Sequence, residues 1–138
     1  LKDFTGEILD GKSIERWIND ISFGKYLFNE DLEVIISEPK YIKWEARFFI
    51  VGRKVVSASY YRKGGYMHRE EITDNELLNT AEEMASKWLP YECVTMDLCE
   101  TNEGIKIVEF NNINCSGFYK CDILKVVREL TMYVEKMK

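Results

Sequence analysis

The sequence predicts an α+β fold, an antiparallel β-sheet with helices packed on one face, and three observations predict it. Two stretches, WEARFFIVGRKVVSASYYR and VTMDLCETNEGIKIVEFN, set β-branched and aromatic runs on either side of a glycine-containing turn, the pattern of a hairpin. Two others repeat apolar residues at helical spacing behind a capping residue. With 138 residues, 46% of them hydrophobic and only two prolines, the chain can bury one core, so residues 1–138 are expected to form a single domain.

The elements follow in order. In GKSIERWINDI, Ile14, Trp17, Ile18 and Ile21 recur at helical spacing with Ser13 placed as N-cap. LEVIISEP is a β-branched run stopped by Pro39, the profile of a strand. The first hairpin turns at Gly52-Arg53, where glycine in first position suits type II′ geometry. Pairing Val51 with Lys54 then sets Phe49 opposite Val56 and Arg47 opposite Ala58, with Glu45, Arg47, Tyr60 and Arg62 on one face. RKGGYMHREE, polar and glycine-rich, reads as a mobile loop. A capping box, Thr73 with Glu76, precedes the apolar series Leu77, Leu78, Ala81, Met84, Ala85 and Trp88. Asp122 caps the last helix, whose apolar face is Ile123, Val126, Val127, Leu130, Val134 and Met137.

Composition excludes some functions. A formal charge of −5 does not supply the clustered basic face that unspecific nucleic-acid binding needs, so no nucleic-acid partner is expected. No apolar run approaches the roughly 20 residues that cross a bilayer, and no signal peptide is visible, so no membrane partner is expected. Cysteines 93, 99, 115 and 121 lack zinc-site spacing and read as reduced thiols, which implies a cytoplasmic chain. The chain opens on Leu1 rather than Met, which suggests a piece of a longer protein.

The second hairpin carries acids where a hairpin favours apolar or neutral residues. A three-residue turn at Asn102-Glu103-Gly104, closed by Thr101 and Ile105, sets Asp97 directly opposite Glu109 with Asn111 two residues on. The reverse face is Val94, Met96, Leu98, Val108 and Phe110. Directly opposed carboxylates repel unless a cation lies between them. Oxygen donors from Asp, Glu and Asn suit Mg²⁺, which completes its shell with phosphate oxygens and water, and so point to a nucleotide site. The alternative is that both acids face solvent on the open side of the sheet, as antiparallel sheets allow. A two-residue turn would put the two acids on opposite faces.

These residues resemble the C-terminal part of an ATP-grasp domain. An aspartate on one strand, VEFN on the next and the loop NINCSGFY resemble the family's metal-binding strand pair with its Glu-x-Asn signature. EARFFIVGRKVVSASYYR resembles the Glu-x-Arg-Phe-Phe hairpin, and KDFTG the Lys-x-Phe-Thr-Gly segment, of a bacterial and phage clade named for an arginine and two lysines. The resemblance covers nearly the whole chain. It implies that Asp97, Glu109 and Asn111 hold Mg²⁺, that Lys2 and Arg47 contact ATP phosphates with Arg62 beside them, and that Glu38, in IISEPKYI, lies near the base or ribose. Asn114, Ser116 and the Gly117 backbone would meet the acceptor. Most of the N-terminal ATP-grasp portion, with the clade's other basic residue, is expected to lie outside this chain.

The implied activity is an ATP- and Mg²⁺-dependent carboxylate–amine ligase that forms an amide through an acyl phosphate, acting on small-molecule or peptide substrates, with a homodimer left open. Two acids for a metal, basic residues for phosphate and no protein nucleophile match that chemistry. The alternative is a catalytically inactive nucleotide-binding or protein-interaction module. Plainer readings also stand: Glu45 with Arg47 as a surface ion pair, Cys99 and Cys115 as small buried residues, His68 as a solvated side chain, and Trp17, Trp44 and Trp88 as core.

Overall fold

The computed structural model of the chain describes residues 7–20 and 33–137. It divides into two units, Leu1–Lys40 and Tyr41–Lys138. In the first, helix α1 spans Ile14–Asp20. The Ser13 carbonyl accepts from the Trp17 amide, but its hydroxyl donates to Asp10 Oδ1 at 2.6 Å, so Ser13 opens the helix with its backbone and spends its side chain on the preceding turn. Ile21 lies outside the described residues, as do Lys2 and the KDFTG segment. The strand expected in LEVIISEP is not formed: residues 33–40 carry no ladder, and Val34, Ile35 and Ile36 are exposed. β-propensity expresses fit to a pleated neighbour, and among the described residues no strand pairs with this stretch.

The second unit is a five-stranded antiparallel sheet, ordered β3-β2-β1-β4-β5, with β1 at Trp44–Val51, β2 at Lys54–Lys63, β3 at Tyr66–Glu71, β4 at Cys93–Thr101 and β5 at Gly104–Asn111. Helix α2 spans Asn75–Lys87, a short 3-10 turn spans Ile113–Cys115, and α3 spans Ile123–Glu135. The fold class is therefore the expected α+β. The helices, however, lie on opposite faces. Ala46, Phe48 and Ile50 of β1 pack with Leu77, Ala81 and Ala85 of α2, whereas Phe49 and Val51 pack with Val126, Leu130 and Tyr133 of α3. A central strand buried on both sides needs cover on both, which its unbroken apolar run FFIV already demanded.

The β1–β2 turn has φ of 57° at Gly52 and 67° at Arg53, which is type I′ rather than II′. Val51 pairs with Lys54 as expected, but extra residues on β2 shift the register twice, so Phe49 faces Ser57 and Arg47 faces Ser59. RKGGYMHREE is not a loop. Gly64 and Gly65, both at positive φ, turn the chain into edge strand β3, whose charged side chains are what a sheet edge tolerates. Helix α2 forms as expected, but Asp74, not Thr73, is its N-cap, accepting from the Glu76 amide at 2.9 Å. Trp88 caps the other end, 62% exposed, with its ring edge-on to Phe110. Asp122 caps α3 through the Lys125 amide at 2.9 Å. On the expected apolar face of α3 only Val126 is fully buried; Ile123, Val127, Val134 and Met137 are exposed.

Candidate active site

The site occupies the part of the α3-side face that α3 leaves open. Glu45 and Arg47 reach it from β1, Tyr61 and Arg62 from β2, Asp97 from β4, and Glu109 and Asn111 from β5. Asp97 stands opposite Glu109, as the sequence predicts, by a different route. Thr101 pairs with Gly104 across a two-residue turn, and a bulge between Asp97 and Leu98 absorbs Val108 as the extra residue. The bulge restores the parity that the short turn removes. Its cost is that Val108, expected in the core, is 44% exposed.

Arg47 answers the charge of the buried acid. Its Nε donates to Asp97 Oδ1 and its Nη2 to Oδ2, both at 2.9 Å, a bidentate pair with Arg47 8% and Asp97 1% exposed. Burial pushes the Asp97 carboxyl up, and the hydrogen bonds and charge of Arg47 oppose that rise. Glu109 accepts from the Asn111 amide at 2.8 Å. Glu45 pairs with Arg62, Nη1 to Oε2 at 2.9 Å, and not with Arg47. Tyr60, expected on this face, turns to the α2 side against Trp44, because the bulge opposite Glu45 and Ala46 sends Tyr61 to the site instead.

The segment after β5 is stitched to this face almost residue by residue. Thr95 Oγ1 and Ser116 Oγ lie 2.8 Å apart, and Arg47 Nη1 donates to the Gly117 carbonyl at 3.3 Å. Phe118 stacks on Phe49 with centroids 4.7 Å apart, and Tyr119 on Tyr61 at 5.0 Å. The Lys120 amide donates to Ser59 Oγ at 3.2 Å and the Asp122 amide to Ser57 Oγ at 2.8 Å. The Arg47 guanidinium lies 5.2 Å from the Tyr119 ring centre and 5.9 Å from that of Tyr61.

This arrangement, a bidentate arginine and two opposed acids beside an anchored loop, accompanies a match of residues 4–130 to the ATP-grasp domain, R2K clade family 3. The chain belongs to this ATP-grasp family. No curated protein matches its sequence. Among solved structures it is similar to the one described as "Structure of ATP-grasp ligase PsnB complexed with minimal precursor", with 16% identity and a TM-score of 0.50. The alignment covers 94% of this chain and 45% of that one, so the chain spans just under half the length of the ligase it resembles.

Of the residues expected at the site, the ATP-grasp sheet gathers Arg47, Arg62, Asp97, Glu109 and Asn111 on one face, with Ser116 and Gly117 beside them. Ser116 is held by Thr95 and by the Asn112 carbonyl, and Gly117 offers its carbonyl to Arg47; Asn114 is exposed in the 3-10 turn. Glu38 is exposed in the first unit, 3.8 Å from Lys40. Cys99 is buried as expected, but Cys115 is exposed. His68 lies on β3 with Nε2 2.9 Å from Glu70. Sequence reasoning missed Tyr61 and Tyr119, the aromatic neighbours of Arg47. The Tyr60-Tyr61 pair was a signal, but only the bulge decides which ring faces the site.

The donor set passes a chemical test for the Mg²⁺ that the family implies. Asp97 and Glu109 offer carboxylate oxygens and Asn111 its side-chain carbonyl oxygen, and Mg²⁺ is commonly held by one or two carboxylates with phosphates and water completing its shell. Among the described residues no three His, Cys, Asp or Glu side chains cluster, and both Asp97 oxygens already accept from Arg47. Glu109 and Asn111 are the more accessible donors. No described helix is long and apolar enough to cross a membrane.

Proposed function

We propose that the chain forms the phosphate- and metal-holding part of an ATP-dependent carboxylate–amine ligase. The observation that carries this reading is the convergence of Arg47, Asp97, Glu109 and Asn111 on one sheet face within a chain of the ATP-grasp family. Glu109 and Asn111, with Asp97, would hold Mg²⁺, which supplies charge neutralisation along the phosphate chain. Arg47 turns its remaining N–H groups to phosphate and Arg62 adds positive charge at the rim, while the family resemblance assigns Lys2 to the phosphates and Glu38 to the base or ribose. In the reaction a substrate carboxylate oxygen bonds to the γ-phosphorus as the bond to the β-bridging oxygen breaks, leaving ADP and an acyl phosphate. An amine then bonds to the acyl carbon, phosphate departs, and the amine loses a proton to give the amide. The loop at Asn114, Ser116 and Gly117 is the wall against which the acceptor is held.

A second reading, a nucleotide-binding module without catalysis, draws on the saturation of Asp97 by Arg47. The test is calorimetry on the protein in its full natural length, titrating Mg²⁺ with a non-hydrolysable ATP analogue into the parent and the Asp97→Asn/Glu109→Gln variant. Metal-dependent binding that disappears in the variant is expected. A folded parent that binds nothing rules out a working ATP site, and binding without turnover over any carboxylate–amine pair favours the second reading.

A further inference from the structure

We propose that Tyr119 is a positioning residue for Arg47, and that through it the loop after β5 sets how tightly the site takes the triphosphate; this rests on the ATP-binding reading above.

The backbone gives the first reason. Tyr119 has φ of 52°, in the left-handed region that an aromatic residue rarely enters. Glycine adopts that conformation without strain, so an aromatic residue there is held by what its side chain does. Contacts on both sides pin it: the Gly117 carbonyl is tied to Arg47, and the Lys120 amide to Ser59.

The ring gives the second reason. It stacks on Tyr61 with an interplanar angle of 20°, and the two rings together lie within cation–π range of the Arg47 guanidinium. Three of the five guanidinium N–H groups go to Asp97 and Gly117, which leaves two for a ligand. Asp97 alone would orient the group only while it stays free of other cations. The aromatic pair holds it by a force independent of Asp97, so Arg47 keeps its aim when the carboxylate accepts a metal. Arg69 of edge strand β3 lies 5.9 Å from the same ring, and no carboxylate among the described residues pairs with it. The Tyr119 ring thus has two guanidinium groups, from β1 and β3, within cation–π range. Such an arrangement suits a polyanion.

The experiment is calorimetry on the full-length protein with Mg²⁺ and β,γ-imido-ATP, and separately with adenosine, for the parent, Tyr119→Phe, Tyr119→Leu and Tyr119→Gly. The phenylalanine variant, which keeps the ring, should bind the analogue within about twofold of the parent. The leucine and glycine variants should lose roughly tenfold for the analogue, the loss of one cation–π contact, and nothing for adenosine. Tyr119→Gly relieves the backbone strain, so its loss of affinity cannot be laid to misfolding if its melting temperature holds. Parental affinity in the leucine and glycine variants, or equal losses for the analogue and adenosine, overturns the proposal. A folded parent that fails to bind the analogue overturns the ATP reading itself, before any variant is compared.

Discussion

The two faces of the sheet are built from the same strands and do opposite work. On the α2 side, Ala46, Phe48, Ile50, Met96 and Leu98 meet Leu77, Ala81 and Ala85 in a closed apolar core. On the other side, the residues that alternate with them, Glu45, Arg47, Thr95 and Asp97, are polar yet buried, and every buried side-chain polar atom among the described residues has a hydrogen-bond partner. The difference teaches how the site is made rigid: each charged group borrows its position from an immediate neighbour on β1 or β4 that is locked in the core. A site built on such strands is more exact than one built on loops.

The largest break in this comparison is on the core side. Phe48→Ala removes a fully buried ring and should cost about 3–5 kcal/mol, read from urea unfolding midpoints. On the site side, Arg47→Met leaves Asp97 buried without its partner and should cost about 3 kcal/mol, whereas Arg47→Met/Asp97→Leu should recover most of that loss while abolishing analogue binding. If the double variant stays as unstable as the single one, the pair holds the fold and is not reserved for a ligand. Asp122→Ala removes the cap that joins α3 to the site segment and should cost about 1 kcal/mol. Arg62→Ala, which breaks a half-exposed pair, should change stability by under about 1 kcal/mol.

A pH series sharpens the same contrast. Burial pushes the Cys121 thiol from 9.0 up to about 12, so the folded chain keeps a proton there that the unfolded chain releases. Stability from this group is complete below about pH 9 and falls as pH climbs toward 12. The unfolding midpoint of the parent should therefore drop more between pH 8 and 10 than that of Cys121→Ala. In the native state Cys115, which is exposed, should be alkylated well before Cys99 and Cys121.

The sequence made the strongly periodic parts legible. The helix from Leu77 to Ala85 and the capped helix after Asp122 show a clean 3.6-residue period, whereas the pairing of Asp97 with Glu109, read from alternation and a three-residue turn, is reached in the structure through a two-residue turn and a bulge. Edge strand β3 was hidden because a charged edge reads like a loop, although Gly64-Gly65 was a turn signal. The bulges were hidden because an extra residue leaves no compositional mark, and they moved Tyr61 into the site and Val108 out of the core. The Arg47–Asp97 bond was hidden because it joins residues 50 positions apart, across strands that no local pattern links. Run LEVIISEP shows the converse limit: strong propensity without a paired strand.

The bulge at Val108 makes residue count, and not only residue type, a condition on the site. Deleting that one valine would leave Leu98 opposite Ile107 and Asp97 opposite Glu109 in a regular ladder, whereas a residue inserted between Gly104 and Glu109 would need a second bulge to keep Glu109 and Asn111 on the face of Asp97. Loss of Val108 is therefore expected to preserve metal and nucleotide binding, whereas a single-residue insertion between Gly104 and Glu109 should reduce both, and a scan of one-residue deletions and insertions across residues 104–111 read by those two assays checks the frame.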